Sequence, residues 1–200
     1  NKEQRGYITP QEFNLFADLA QMEIFEQYFY DKNQFERVPG SDSEYNDMVD
    51  LIDQKISPFK KTIGVNDEFN INGMITDLYR LGKIWCIDQT TNSVSCTVEE
   101  TTLARFIESE TGSLTKSTHK KPVYYIKDHR IKLSPPVNSL GQYTCSYIRR
   151  PKKPNWTYVI VNSTALYDSA AVDRQDFELD TSEENSLVLN ILKLAGVAIK

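Results

Sequence analysis

Long apolar runs, histidine and cysteine are all scarce in this sequence. No apolar stretch approaches the ~18 residues of a membrane span, and no leader pattern opens the chain, so no membrane partner is expected. The three cysteines, Cys86, Cys96 and Cys145, are odd in number and far apart in sequence. They fit neither a disulfide framework nor a C-x-x-C metal pair, and they predict buried, reduced thiols. Of the two histidines, His119 lies in a basic loop and His129 at a hairpin tip, neither beside a Cys or Ser. A nucleophile elbow, a P-loop, a dinucleotide fingerprint and H-E-x-x-H are missing, as are internal repeats. The expected catalytic, cofactor-binding and metal-ligating residues are therefore none, and the chain is read as a non-enzyme that needs no cofactor. Without a secretion signal, N-W-T at Asn155 and N-S-T at Asn162 read as chance matches to the glycosylation pattern. With no Met at position 1, Asn1 is expected to follow residues not included in this sequence.

What is present is globular material: 40% hydrophobic and 26% charged, with 11 Tyr, 9 Phe and 2 Trp among 200 residues. A chain this long can bury roughly 70% of its unfolded surface without covalent staples. The net charge of -5 hides a segregation, because residues 1–57 carry -7, residues 58–165 carry +6 and residues 166–200 carry -4. Such an arrangement can direct different faces to different partners.

Helix signals open the chain. Thr9 and Glu12 form a capping box, Pro10 suits the first helical position, and Ile8 with Phe13 has hydrophobic-staple spacing. The helix is predicted to reach about Tyr30, with Phe13, Phe16, Ala17, Ala20, Ile24 and Tyr28 on one stripe. A second apolar stripe, Leu15, Leu19, Met22, Phe25 and Phe29, exceeds what one core needs and marks the candidate subunit interface. Residues 31–42, with Pro39-Gly40, read as a loop. A second helix, capped near Ser41 or Asp42, follows to Pro58, with Glu44, Asp47, Asp50 and Asp53 as a solvated acidic face.

From Phe59 the pattern turns extended. Strands are expected over Phe59–Val65 and Leu78–Ile87, the latter with a bulge or bend at Gly82, and short alternating pieces at Phe69–Ile71 and Met74–Ile75. A capping box at Thr97 and Glu100 predicts a short helix with Leu103, Phe106 and Ile107 inward. The stretch from Pro122 to Trp156 reads as a three-stranded antiparallel meander with a two-residue turn at Asp128-His129. Its third strand has Tyr143, Cys145 and Tyr147 on one face. Thr157–Val161 is a further strand, and Ala165-Leu166-Tyr167 begins a connection. A capping box over Thr181–Glu184 starts a final helix carrying Leu187, Val188, Ile191, Leu192 and Ala195, ended by Gly196.

The predicted fold class is α+β, with N-terminal helices and a C-terminal helix packed on an antiparallel β-rich, sandwich- or barrel-like domain. The boundaries are 1–57 (helical), 58–180 (β-rich with one short helix) and 181–200 (C-terminal helix), within one folded unit. Lys116, Lys120 and Lys121 before the meander, and Arg149, Arg150, Lys152 and Lys153 after it, form two basic clusters. Neither is interleaved with a stacking platform, so they are the candidate contacts to acidic protein partners.

Four segments together carry a resemblance: NKEQRGYITPQEFNLFADLAQ, DLYRLG, YIRRPKKPNW and DFELDTSEENSLVLNILKLAGVAIK. They resemble tailed-phage virion structural proteins, including those of crAss-like phages, and within that group a ring or head-to-tail connector protein. The central hairpin, the I-K-L-S-P-P strand and the Y-I-R-R-P strand are also similar to the adaptor (tail tubular protein A) family of short-tailed phages. The resemblance implies a homo-oligomeric ring, commonly of twelve copies, below the portal, contacting portal and other connector or tail proteins. Genomic DNA would pass without sequence-specific binding, and the location would be the neck or tail of a virion assembled in the host cytoplasm. A lumen that does not grip phosphate implies acidic or neutral lining, with the basic clusters turned to protein. Two alternatives stand beside this. A capsid or fibre-attachment protein would form trimers or pentamers, and a virion-associated nucleic-acid-binding protein would lose DNA affinity steeply with salt.

Overall fold

In the computed structural model, residues 8–37, 43–88, 93–136, 141–162 and 164–197 are described. They form two compact units. Residues 1–58 and 151–200 make a helical unit, and the inserted residues 59–150 make a β unit. The class is α+β, and among the described residues the sheets do not close into a barrel. Residues 151–180, which the sequence pattern groups with the β-rich region, cluster with the helices.

The helical unit is built on α1, Pro10–Arg37. Its start is the expected reciprocal cap: Thr9 N–H donates to Glu12 Oε2 at 3.1 Å, and Glu12 N–H donates to Thr9 Oγ1 at 3.2 Å. The helix passes Tyr30, beyond which the pattern predicts a loop, and ends at Arg37. No Gly or Pro interrupts residues 31–37, and i,i+4 side-chain bonds from Gln27 to Asp31 and from Gln34 to Tyr30 support the extension. Lys32 also pairs with Asp53 of α2, Ser43–Ile56, at 2.9 Å. The Pro39-Gly40 break and the caps at Ser41 or Asp42 lie outside the described residues. Ala17, Ala20, Gln21, Ile24, Phe25 and Tyr28 form the buried stripe of α1. The spacing is that of a helix pressed on one side, against α2 and α5, Glu184–Leu194.

Helix α5 follows a 3-10 turn, Thr181–Glu183, whose cap is the Asp180 carboxylate accepting from Ser182 N–H at 2.9 Å. The expected box at Thr181 is displaced by this nearer acceptor. Only Leu187 and Ile191 of the expected stripe are fully buried, and Val188 is half exposed. Gly196 ends the helix at φ 81°, with Val197 N–H returning to Leu192 O at 3.0 Å. This is the six-to-one closure of a Schellman motif.

The β unit holds two four-stranded sheets. The first has β1 (Lys60–Val65), β8 (Gly141–Arg149), β3 (Leu78–Asp88) and β4 (Ser93–Thr97), in that order. The second has β2 (Glu68–Asn70), β7 (Arg130–Ser134), β6 (Val123–Lys127) and β5 (Glu99–Glu100). Val65, Ile84, Cys86, Tyr143 and Cys145 from the first sheet share one core with Phe69, Tyr124, Ile131 and Leu133 from the second. The arrangement is a sandwich, and each fully buried Ile or Leu in it contributes roughly 1.5–3 kcal/mol.

The hairpin β6–β7 turns at Asp128 and His129, both at positive φ (50° and 60°), as a two-residue turn requires. The third strand does not continue this meander. β8 lies between β1 and β3 in the other sheet, because the chain leaves β7 at Pro135-Pro136, where no ladder donor exists. Its Tyr143 and Cys145 still face the core, from the opposite side. Ile71–Met74 is a helical turn, α3, capped by the Asn70 side chain, where the pattern predicts strand pieces. Helix α4, Leu103–Thr111, is capped by Thr102, not Thr97. Thr97 and Glu100 are held instead in ladders with β3 and β6. Phe106 is buried 4.5 Å from the Tyr125 ring, whereas Leu103 and Ile107 are exposed.

Candidate interaction surfaces

Two amide side chains of α1, two turns apart, hold the segment that leads to the first surface. Asn14 donates to Asn155 Oδ1 at 3.0 Å and accepts from Trp156 N–H at 2.8 Å. Gln21, fully buried, donates to Lys152 O at 2.8 Å and accepts from Glu178 N–H at 3.0 Å. Pinned in this way, Trp156 meets Phe13 edge-on at 6.3 Å. Its indole also lies nearly parallel to the rings of Tyr158 and Tyr167, each 6.0 Å away.

Those two tyrosines face each other in the register of a two-stranded hairpin, β9 (Tyr158–Val161) and β10 (Thr164–Tyr167). The sequence pattern alone makes β10 the start of a connection. Among the described residues no third strand joins either edge. Val159, Ile160 (72% exposed), Val161, Leu166 and Tyr167 all present apolar surface on it. An isolated hairpin is marginal on its own, so the tryptophan layer anchors it while its open edges and apolar side chains stay available. A cavity of about 320 Å³, lined by Ile8, Pro10, Phe13, Trp156 and Ala165, opens beside it.

The structure divides the five residues expected at a subunit contact. Leu15 and Leu19 are exposed, at 57% and 49%, and Met22 and Phe29 are half-buried. Phe25 is 0% exposed and stacks edge-on with Phe29 at 5.1 Å, so it belongs to the core of the chain itself and offers no surface. A stripe that is apolar all round cannot be apportioned from spacing alone.

The basic residues separate as well. Lys116, Lys120, Lys121 and Arg150 are exposed on the β unit, and Lys152 and Lys153 on the helical unit. Arg149 is half-buried, with its guanidinium 5.3 Å from the Phe59 ring centroid. Lys153 approaches Asp18 at 3.6 Å. Lys120 and Lys121 share a depression with Lys83, a residue outside both clusters visible in sequence. Lys83 follows the bulge in β3 and is fixed through the Ser146 hydroxyl, which accepts from Lys83 N–H at 2.8 Å and donates to Lys83 O at 3.0 Å. Its only sequence signal is the neighbouring Gly82.

Cys86 and Cys96, ten positions apart in number, are directly opposite on β3 and β4 as free thiols. Burial pushes the Cys145 thiol up to about 11. Burial, with the Glu100 carboxylate accepting its hydroxyl at 3.2 Å, pushes Tyr124 up to about 12. Among the described residues no group of three or more His, Cys, Asp or Glu is placed to hold a metal, and no helix is long and apolar enough to cross a membrane. No protein-family model matches the chain, and no curated protein matches it.

Proposed function

We propose that the chain is a structural subunit of a phage head-to-tail connector, forming an oligomeric ring of about twelve copies below the portal. Its location would be the neck or tail of the virion, its partners further copies of itself, the portal and other connector or tail proteins. Genomic DNA would pass through without sequence-specific contact. The observation that carries this reading is the β9–β10 hairpin, a two-stranded apolar element held out on an aromatic anchor with both edges unpaired among the described residues. Such an element suits a subunit completed by its neighbours, and the exposed Leu15 and Leu19 of α1 add apolar surface.

Electron microscopy of the purified protein, with and without the portal of the same virion, tests it. Closed rings that stack on the portal are the expected result. A protein that stays monomeric in the presence of the portal overturns the reading.

A further inference from the structure

The two units carry opposite charge: the helical unit has a net of -9 and the β unit a net of +4. Each has a depression of its own sign. That of the β unit, about 650 Å³, is lined by Lys83, Lys120, Lys121 and Glu99, a net of two positive charges. It sits where the chain passes from one sheet to the other, with Val98 N–H donating to Ile84 O at 2.8 Å and Glu99 N–H to Pro122 O at 3.1 Å. Among the described residues none of the three lysines has an ion-pair partner, unlike Lys132 of the same unit, which pairs with Glu110.

The depression of the helical unit, about 440 Å³, is lined by Glu23, Asp31, Glu183 and Lys55, a net of two negative charges. Lys55 is already committed to Glu183. Also lining it is Tyr28, 4% exposed. Burial, and then the nearby Glu183 and Asp180 carboxylates, hold this phenol well above the ordinary tyrosine range. Although Glu183 is close, no hydrogen bond of good geometry reaches the buried Tyr28 hydroxyl among the described residues. The hydroxyl is sealed from solvent and Lys55 Nζ lies 5.7 Å from the ring centroid, so Glu23 and Asp31 are the charges a neighbour can reach.

We propose that these depressions are counterparts between copies: the lysine-lined depression of one subunit docks on the acidic, Tyr28-floored depression of the next. A lysine ammonium from the neighbour would then pair with Glu23 and Asp31 at that depression. Because the two surfaces differ, the contact is head-to-tail, the kind that closes into a ring when the rotation permits. This rests on the ring reading above and identifies the pair of surfaces that meet.

The test is a charge swap on the full chain, read as oligomer mass by mass photometry, with circular dichroism confirming the fold. K83E/K120E/K121E and E23K/D31K are each expected to weaken assembly by about tenfold or more, because like charges then meet. The chain carrying both sets is expected to regain the wild-type oligomer. Wild-type rings together with an unimpaired lysine-reversed variant overturn this pairing and leave the ring reading standing. Loss in both swaps without recovery in the combined chain overturns it too. A wild-type protein that stays monomeric with portal present overturns both readings.

Discussion

Gly82 occupies a point in β3 where a β-carbon would collide with the Ser146 hydroxyl and lie 2.9 Å from the Ser146 carbonyl oxygen. The backbone oxygen cannot swing away, so Gly82→Ala is expected to destabilise the β unit by about 1–3 kcal/mol, read from urea denaturation midpoints. Gln21 is a second such position. Truncating it to Ala strands the Lys152 carbonyl and the Glu178 N–H, with an expected cost of about 2 kcal/mol by the same measurement. The bulge is legible in the sequence because glycine inside a strand pattern has few other uses. Gln21 is not, because a polar residue on an apolar helix reads as solvent-facing until the distant chain it bonds to is in place. Cys145 and Tyr124 shape the alkaline behaviour. Both are held neutral in the fold, so at high pH the unfolded chain releases protons that the folded chain keeps. Their contribution is complete below the ordinary thiol value of 9.0 and is lost as pH rises toward about 11 and 12. Melting temperatures measured from about pH 8 to 11 should fall across that window, with Cys145→Ala flattening its lower part.

At the scale of elements, competition between local and distant partners decides which sequence signals hold. The Thr9 cap has no competitor and forms as read. The Thr97 box loses to the ladders with β3 and β6, while Val98 between them goes into the core, so α4 begins after Thr102. The strands are legible from alternation, but their partners are not. β8 alternates equally well as a third meander strand or as the centre of the other sheet, and only the core it completes distinguishes the two. The β9–β10 hairpin carries its own test. Ile160→Asp, at a side chain 72% exposed, is expected to leave stability within about 0.5 kcal/mol and to weaken self-association, measured by thermal melts and oligomer mass.

For the whole molecule, charge separates by unit, and this segregation is visible in the sequence without showing which residues share a surface. Lys83 has no place in either basic cluster until the bulge puts it beside Lys120 and Lys121. Arg149 and Arg150, adjacent in sequence, should behave differently. Arg150→Glu is expected to weaken assembly and leave the fold intact, whereas Arg149→Glu also removes the guanidinium from the Phe59 ring and should lower the melting temperature. The helical unit is interrupted in sequence, and the inserted β unit begins and ends on neighbouring strands, with Lys60 opposite Ile148. During synthesis at about 5–20 residues per second, every strand of the β unit is therefore made before α5 is. Helix α1 must wait for α5 before the face it turns to that helix is covered. The acidic depression, which takes Ser186 and Asn190 from α5, is thus completed last, and in the proposed ring association would wait until each copy has folded.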